Sequence, residues 1–128
     1  MKGTSFDTRF LVALYYSSDP IQQQAIKSVI LKSKPNYLST AALSEIYKLT
    51  LDKEGKVVAE LRAKSLAKDF HLVNVNERIA VEAAVIKHKH SIPFAHSIIA
   101  ATARVLKIPC YTNDPHFNSI DGVSVKWF

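Results

Sequence analysis

Residues 4–16 read TSFDTRFLVALYY, a short β-type run that ends at Asp7 and is followed at once by an apolar helical segment. The pattern recurs where residues 36–39 precede a helix, and residues 109–112 form another β-type run just before Asp114. Short strands that alternate with helices are typical of βαβ units, which build parallel sheets. The sequence therefore predicts an α/β fold.

Apolar spacing and capping signals predict the remaining elements. Asp19 and Pro20 form an N-terminal helix signal, Ser39 or Thr40 forms another, and Asn76 forms a third, while Gly55 is a stop signal. No repeat, low-complexity tract or linker interrupts the chain, so residues 1–128 are expected to form one domain. Helices are expected at residues 8–16, 20–32, 40–52, 56–68, 77–90 and 95–106, and strands at residues 36–39, 71–75, 109–112 and 123–127.

Composition limits the classes of function. Seventeen basic and eleven acidic side chains give a net charge of +6, which favours a polyanionic partner such as nucleic acid or serves solubility alone. The single cysteine, Cys110, predicts a buried thiol in a reducing compartment. The apolar run at residues 10–16 is too short to span a bilayer, so we expect a soluble, cytoplasmic protein. With only three glycines and no serine-histidine-carboxylate order, nucleotide-cofactor chemistry and serine hydrolysis fit poorly.

Acidic residues follow the predicted strands at separate points of the chain. Asp7 and Asp114 come directly after such strands, and Glu45 lies in the helix after residues 36–39. The carboxyl ends of parallel strands meet at one edge of the sheet, so these carboxylates are expected to converge and to need a cation. Each also has a structural alternative: Asp7 as a helix cap, Asp114 as a turn residue before Pro115, and Glu45 as a solvated helix residue.

Four segments together resemble one known family. They are FDTRFL at residues 6–11, Ser44-Glu45, SIIAATA at residues 97–103 and TNDPHF at residues 112–117, and they resemble the PIN-domain nucleases, particularly the VapC-type toxins. The resemblance implies a three-layer α/β/α sandwich with a central, mostly parallel sheet. It also implies Mg²⁺ or Mn²⁺ held by Asp7, Glu45 and Asp114, cleavage of RNA, a small antitoxin that blocks the cleft, and a homodimer.

The chain departs from the family pattern at His96. The family usually has an aspartate at the start of the alanine-rich helix, where this chain has Phe94-Ala95-His96-Ser97. One interpretation makes His96 a fourth metal ligand, and the other makes it a core or capping histidine in a site that has lost activity. An imidazole ligand favours manganese or another transition ion over magnesium.

Weaker candidates surround these residues. Thr112 is expected either to hydrogen-bond an acid or the attacking water, or only to favour the strand, and His116 either to face phosphate or to have no role. Residues 87–90, Lys-His-Lys-His, resemble a metal tract but are more typical of a solvated helix end. Basic residues near the proposed edge are candidates to bind RNA phosphates: Arg9, Lys48 and Arg104.

The acids and the resemblance together predict a metal-dependent endoribonuclease, and the resemblance implies that it is the toxin of a toxin–antitoxin pair. One alternative is a catalytically impaired PIN-like scaffold that binds RNA or a protein partner. Another is a phosphatase-like or receiver-like domain that would form an aspartyl phosphate on Asp7.

Overall fold

Five parallel strands form the centre of the protein. The structure is a computed structural model that describes residues 3–128. The strands pair in the order β3-β2-β1-β4-β5, and all four pairings are parallel. The predicted parallel sheet is thus confirmed. The strands are β1 (Thr4–Phe6), β2 (Asn36–Ser39), β3 (His71–Val73), β4 (Cys110–Thr112) and β5 (Val125–Trp127).

Helices flank this sheet in the connections between strands. The chain crosses from β1 to β2 to β3 in one direction and returns from β3 to β4 on the other side of β1. Because such crossovers are right-handed, α1 to α4 lie on one face and α5 and α6 on the other, which is the expected three-layer sandwich. The helices are α1 (Thr8–Tyr16), α2 (Pro20–Lys32), α3 (Thr40–Glu54), α4 (Lys56–Asp69), α5 (Glu77–Lys89) and α6 (Phe94–Leu106), and a short 3₁₀ helix spans Pro115–Ser119.

Side-chain caps define where several helices begin. The side chains of Asp7, Asp19, Ser39 and Asn76 each accept a hydrogen bond from a backbone N–H in the first turn that follows. Gly55 separates α3 from α4 with a φ of 88°, a region that an L side chain rarely adopts. These polar and glycine residues are the signals that located the helices in the sequence.

Strand ends differ from the prediction by one or two residues, and pairing explains the difference. β3 ends at Val73 instead of residue 75, because its partner β2 ends at Ser39, which pairs with Val73 and then caps α3. β5 begins at Val125 instead of residue 123, because its first partner is Cys110, where β4 starts. The short strands are limited by their neighbours, which local propensity does not reveal.

The core lies between the sheet and both helical layers. Phe6 and Phe10 are fully buried with their ring centroids 4.6 Å apart, and small residues of α6 such as Ala100 and Ala101 allow that helix to approach the sheet closely. Cys110 is buried, as predicted, and burial raises the pKa of its thiol far above the ordinary value. Within residues 3–128, no helix has the length and apolar character needed to cross a membrane.

Candidate metal centre

The candidate site lies where the strand order reverses. β1 is flanked by β2 on one side and β4 on the other, so the connections that follow β1 and β4 leave the sheet in opposite directions. Ligands of open α/β sheets bind in the crevice that opens at such a point. Asp7 directly follows β1, Asp114 lies two residues beyond β4, and His96 is in the first turn of α6.

Three side chains converge in this crevice. Asp7, His96 and Asp114 each offer one ligand atom, and these atoms lie within 4.8 Å of one another. Asp7 is 0% exposed and Asp114 is 2% exposed, and the side chain of His96 is 14% exposed. Asp7 and Asp114, which are more than one hundred positions apart in the chain, therefore meet with His96 at a single point.

Thr112 connects the two carboxylates. Its hydroxyl donates to Oδ2 of Asp7 over 2.8 Å and accepts from the backbone N–H of Asp114 over 2.9 Å. The other oxygen of Asp7, Oδ1, accepts from the backbone N–H of Thr8 over 2.8 Å. Asp7 is therefore both the cap of α1 and a member of the cluster, so the two roles considered for it are compatible.

Asp114 binds two histidines through its two oxygens. Oδ2 lies 2.9 Å from Nδ1 of His96, and Oδ1 lies 2.8 Å from Nδ1 of His116 and accepts from the backbone N–H of His116. An ionised carboxylate only accepts, so both Nδ1 atoms carry the proton, which leaves Nε2 of a neutral ring with a free lone pair.

The pKa values of the two acids are shifted in opposite directions. Burial raises the pKa of Asp7; the nearby His96 and hydrogen bonds from Thr112 and Thr8 oppose this, and the charge of Asp114 adds to it. Burial also opposes ionisation of Asp114, but hydrogen bonds from His116 and His96 together with the charge of Arg9 outweigh it and hold its pKa below the usual range. Such separation of two neighbouring carboxyl groups is typical of functional sites.

Glu45 lies beside the cluster and outside the group of three. It is half-buried, and its Oε1 accepts from the hydroxyl of Thr8 over 2.5 Å, while the backbone N–H of Thr8 donates to Asp7. Thr8 thus links Glu45 to the cluster. Sequence reasoning missed this role of Thr8, which no local pattern indicates.

Of the three basic candidates, only Arg9 is anchored beside the cluster. Its Nη1 donates to Oδ1 of Asn113, which precedes Asp114. Lys48 instead forms an exposed ion pair with Asp52 on its own helix. Arg104 lies eight residues, or roughly 12 Å, along α6 from His96. It binds Glu82 and the backbone oxygen of Asp121.

Sequence reasoning also missed the contact of His116 with Asp114. The signal was present in the order Asp114-Pro115-His116, because an aspartate that caps a turn before proline accepts from the residue two positions on. The tract Lys87, His88 and Lys89 forms the exposed last turn of α5, away from the group of three.

The donor set of the cluster fits one divalent cation. Two carboxylates and one imidazole suit manganese and other transition ions, and carboxylates also suit magnesium. Asp7 is buried with a raised pKa, which a cation beside it would reverse. Within residues 3–128, no other group of three potential ligands is found.

The fold and the cluster define a class of protein. It is an α/β/α protein with a parallel sheet and a cluster of two carboxylates and one imidazole at the carboxyl edge of its central strands. The chain belongs to the PIN domain family, whose family model matches residues 5–123. Members of this family are typically nucleases that use divalent metals.

Solved structures share the fold over nearly the whole chain. VapBC2 from Rickettsia felis, bound to a DNA fragment from its promoter, is similar with a TM-score of 0.80 at 11% identity, covering 98% of each chain. A toxin–antitoxin complex from Klebsiella pneumoniae is similar with a TM-score of 0.75 at 22% identity, covering 94% of this chain and 95% of that one. VapC20 from Mycobacterium tuberculosis, described as a sarcin–ricin loop cleaving toxin, is similar with a TM-score of 0.75 at 21% identity, covering 97% and 99%. A comparison with curated protein sequences gave no match.

Proposed function

We propose that the chain is a metal-dependent endoribonuclease and the toxin of a toxin–antitoxin pair. The proposal is supported above all by the convergence of Asp7, His96 and Asp114 within 4.8 Å in the crevice of a PIN domain. The similar VapC20 is described as a toxin that cleaves the sarcin–ricin loop. The net charge of +6 favours a polyanionic substrate.

Each member of the cluster has a distinct role in this proposal. Asp7, His96 and Asp114 hold the cation, and Glu45 completes the site from beside Thr8. When bound, the cation would make a water molecule more acidic and neutralise charge on the phosphate. Thr112 fixes the relative positions of Asp7 and Asp114, because its single hydroxyl hydrogen-bonds to both residues. Arg9 is the proposed phosphate contact.

Removal of divalent metal tests this proposal directly. The purified chain should cleave a mixture of structured and unstructured RNAs in Mn²⁺, should lose all cleavage in excess EDTA, and should recover it when Mn²⁺ is restored. Cut products are measured on denaturing gels with end-labelled RNA. Cleavage that persists in EDTA would contradict the proposal, because the acids alone provide no positive charge for the phosphate.

His96 should make manganese the preferred ion. Imidazole nitrogen suits transition ions, whereas magnesium prefers oxygen ligands. We expect faster cleavage in Mn²⁺ than in Mg²⁺, and His96→Asp should shift the Mn²⁺ to Mg²⁺ affinity ratio by at least about tenfold toward Mg²⁺, since changes in the outer partners of metal ligands alone alter affinity by roughly 10–100-fold. Isothermal titration with each ion measures the ratio. Equal or better activity of the natural chain in Mg²⁺ would count against the hypothesis.

A non-catalytic scaffold is the second candidate function. The observation that favours it is the hydrogen bonding of Asp114, because each of its two oxygens already contacts the Nδ1 atom of a histidine. Among residues 3–128, no buried polar side-chain atom lacks a hydrogen-bond partner. A scaffold should bind RNA or protein but produce no cleavage in any metal. An aspartyl phosphate on Asp7 is disfavoured, because Asp7 has no exposed surface and both its oxygens accept hydrogen bonds.

We propose that the chain acts in the cytoplasm and that its partners are a small antitoxin and a second copy of the chain. Similar structures were solved as toxin–antitoxin complexes. Several apolar side chains are available for such contacts on the surface of α2, α4 and α5. They are Ile21, Leu31, Val57, Leu61, Val81 and Val85. Light scattering of the isolated chain would measure the proposed homodimer.

A further inference from the structure

A pocket of about 310 Å³ lies beside the candidate metal centre, and both apolar side chains, such as Val12 and Ala13, and polar ones line it. Arg9 and Asn113 line one side of it, and each is close in sequence to an acid of the cluster, Arg9 to Asp7 and Asn113 to Asp114. Tyr16 and Gln22 line other parts. A volume of this size is within the range of small-molecule sites, which is about 300–1,000 Å³.

The pocket wall is held in place by contacts outside the pocket. The hydroxyl of Tyr16 donates to Glu54 over 2.7 Å and accepts from Nη1 of Arg62 over 2.7 Å. Glu54 and Arg62 also contact each other over 2.8 Å, so α1, α3 and α4 meet at this point. A wall fixed in this way loses little conformational entropy when a ligand binds.

Several hydrogen-bond donors of the pocket are free. Oδ1 of Asn113 already accepts from Arg9, and Oε1 of Gln22 already accepts from the hydroxyl of Ser17 over 2.6 Å. The amide nitrogens Nδ2 of Asn113 and Nε2 of Gln22 take part in no hydrogen bond within residues 3–128. The pocket therefore offers two amide N–H₂ groups and the remaining N–H groups of Arg9.

We propose that this pocket binds a keto nucleobase of the RNA, guanine or uracil, next to the phosphodiester that is cut. Guanine presents O6 and N7 as acceptors and uracil presents O4, whereas adenine and cytosine present an N–H₂ donor at the corresponding position. The N–H groups of the pocket can donate hydrogen bonds to guanine and uracil. With adenine or cytosine they would face an N–H₂ group, and no hydrogen bond would form between the two donors. This inference rests on the proposed nuclease function and gives it a base preference.

Nucleosides that differ at one group test the preference without cleavage. The whole chain in EDTA is titrated with two pairs of nucleosides, and the shifts of its backbone amide signals are followed by NMR. Inosine and adenosine differ chiefly at position 6 of the base, and uridine and cytidine differ at position 4. Inosine and uridine should bind at least about fivefold more tightly than adenosine and cytidine, since a good base contact discriminates by about 1–3 kcal/mol.

Gln22→Glu is the decisive variant. Glutamate keeps the oxygen that accepts from Ser17 but replaces the amide donor with an acceptor. The preference for inosine and uridine should disappear or reverse in Gln22→Glu. The matched control is Gln24→Glu, the same change at an exposed position of the same helix, and it should retain the preference. Equal binding of all four nucleosides, or an unchanged preference in Gln22→Glu, would overturn the inference.

The two proposals fail separately in these measurements. RNA cleavage without any nucleoside preference would reject the base pocket and leave the nuclease. A keto-base preference that depends on Gln22, in a chain that cuts no RNA, would support the pocket and reject the nuclease. Where both hold, cut sites mapped by sequencing should adjoin guanine or uracil, and Gln22→Glu should cut without this bias.

Discussion

Asp114→Asn should reduce metal-dependent RNA cleavage about 1,000-fold while the chain remains folded. A divalent ion contributes several kcal/mol to catalysis of this kind, and each 1.4 kcal/mol or so corresponds to a factor of ten in rate. Asparagine removes one negative charge from the candidate site and loses one of the two carboxylate oxygens that contact His96 and His116. The measurement is single-turnover cleavage of end-labelled RNA in Mn²⁺.

Asp121→Asn is the matched control for this change. The side chain of Asp121 is 86% exposed and pairs with Lys89 only over 3.5 Å, so its substitution should leave cleavage unchanged. If Asp114→Asn and the natural chain cut RNA at the same rate, Asp114 is not part of the active site and the nuclease proposal loses its central residue. If neither cuts RNA in any metal, the scaffold function is favoured instead.

The pH dependence of stability separates the structural role of Asp114 from its catalytic role. Its pKa is lowered in the folded chain, so the stabilisation from its ionised form is complete above the pKa of the unfolded chain and is lost as the pH falls through the folded pKa. Asp114→Asn should therefore be less stable than the natural chain at neutral pH, and the difference should shrink in acid. Thermal unfolding followed by circular dichroism at several pH values measures this.

Phe10→Ala should lower the free energy of unfolding by about 3–5 kcal/mol, a large share of the roughly 5–15 kcal/mol that stabilises a typical protein. Phe10 has no exposed surface, and its ring centroid lies 4.6 Å from that of Phe6, 5.6 Å from that of Tyr111 and 5.2 Å from that of Phe128. Truncation leaves a cavity among rings of α1 and the sheet that have little freedom to close it.

Urea denaturation followed by circular dichroism measures this loss. The control is Phe94→Ala, because Phe94 is 66% exposed and its truncation should change the free energy of unfolding by no more than about 0.5 kcal/mol. A loss below about 1 kcal/mol for Phe10→Ala would contradict the described packing of α1.

The sequence was sufficient for the fold and for most helix boundaries. Helix caps such as Asp19, Ser39 and Asn76 and the stop at Gly55 act within a few residues, so their effects can be recognised locally. The same is true of the strand and helix alternation, which determines a parallel sheet because a parallel pair needs a crossover connection. Strand ends were less predictable, since Val73 and Val125 are limited by partners far away in the chain.

The candidate site, too, was predicted only in part from the sequence. Its acids were recognised in the sequence because Asp7 and Asp114 follow strands, whose carboxyl ends in a parallel sheet share one edge. Only the tertiary structure decided that His96 and His116 both bind Asp114, that Thr8 stands between Asp7 and Glu45, and that Arg104 is bound by Glu82. These contacts join residues of different elements, and their distances depend on how helices and sheet pack, a property that no single segment of the chain contains.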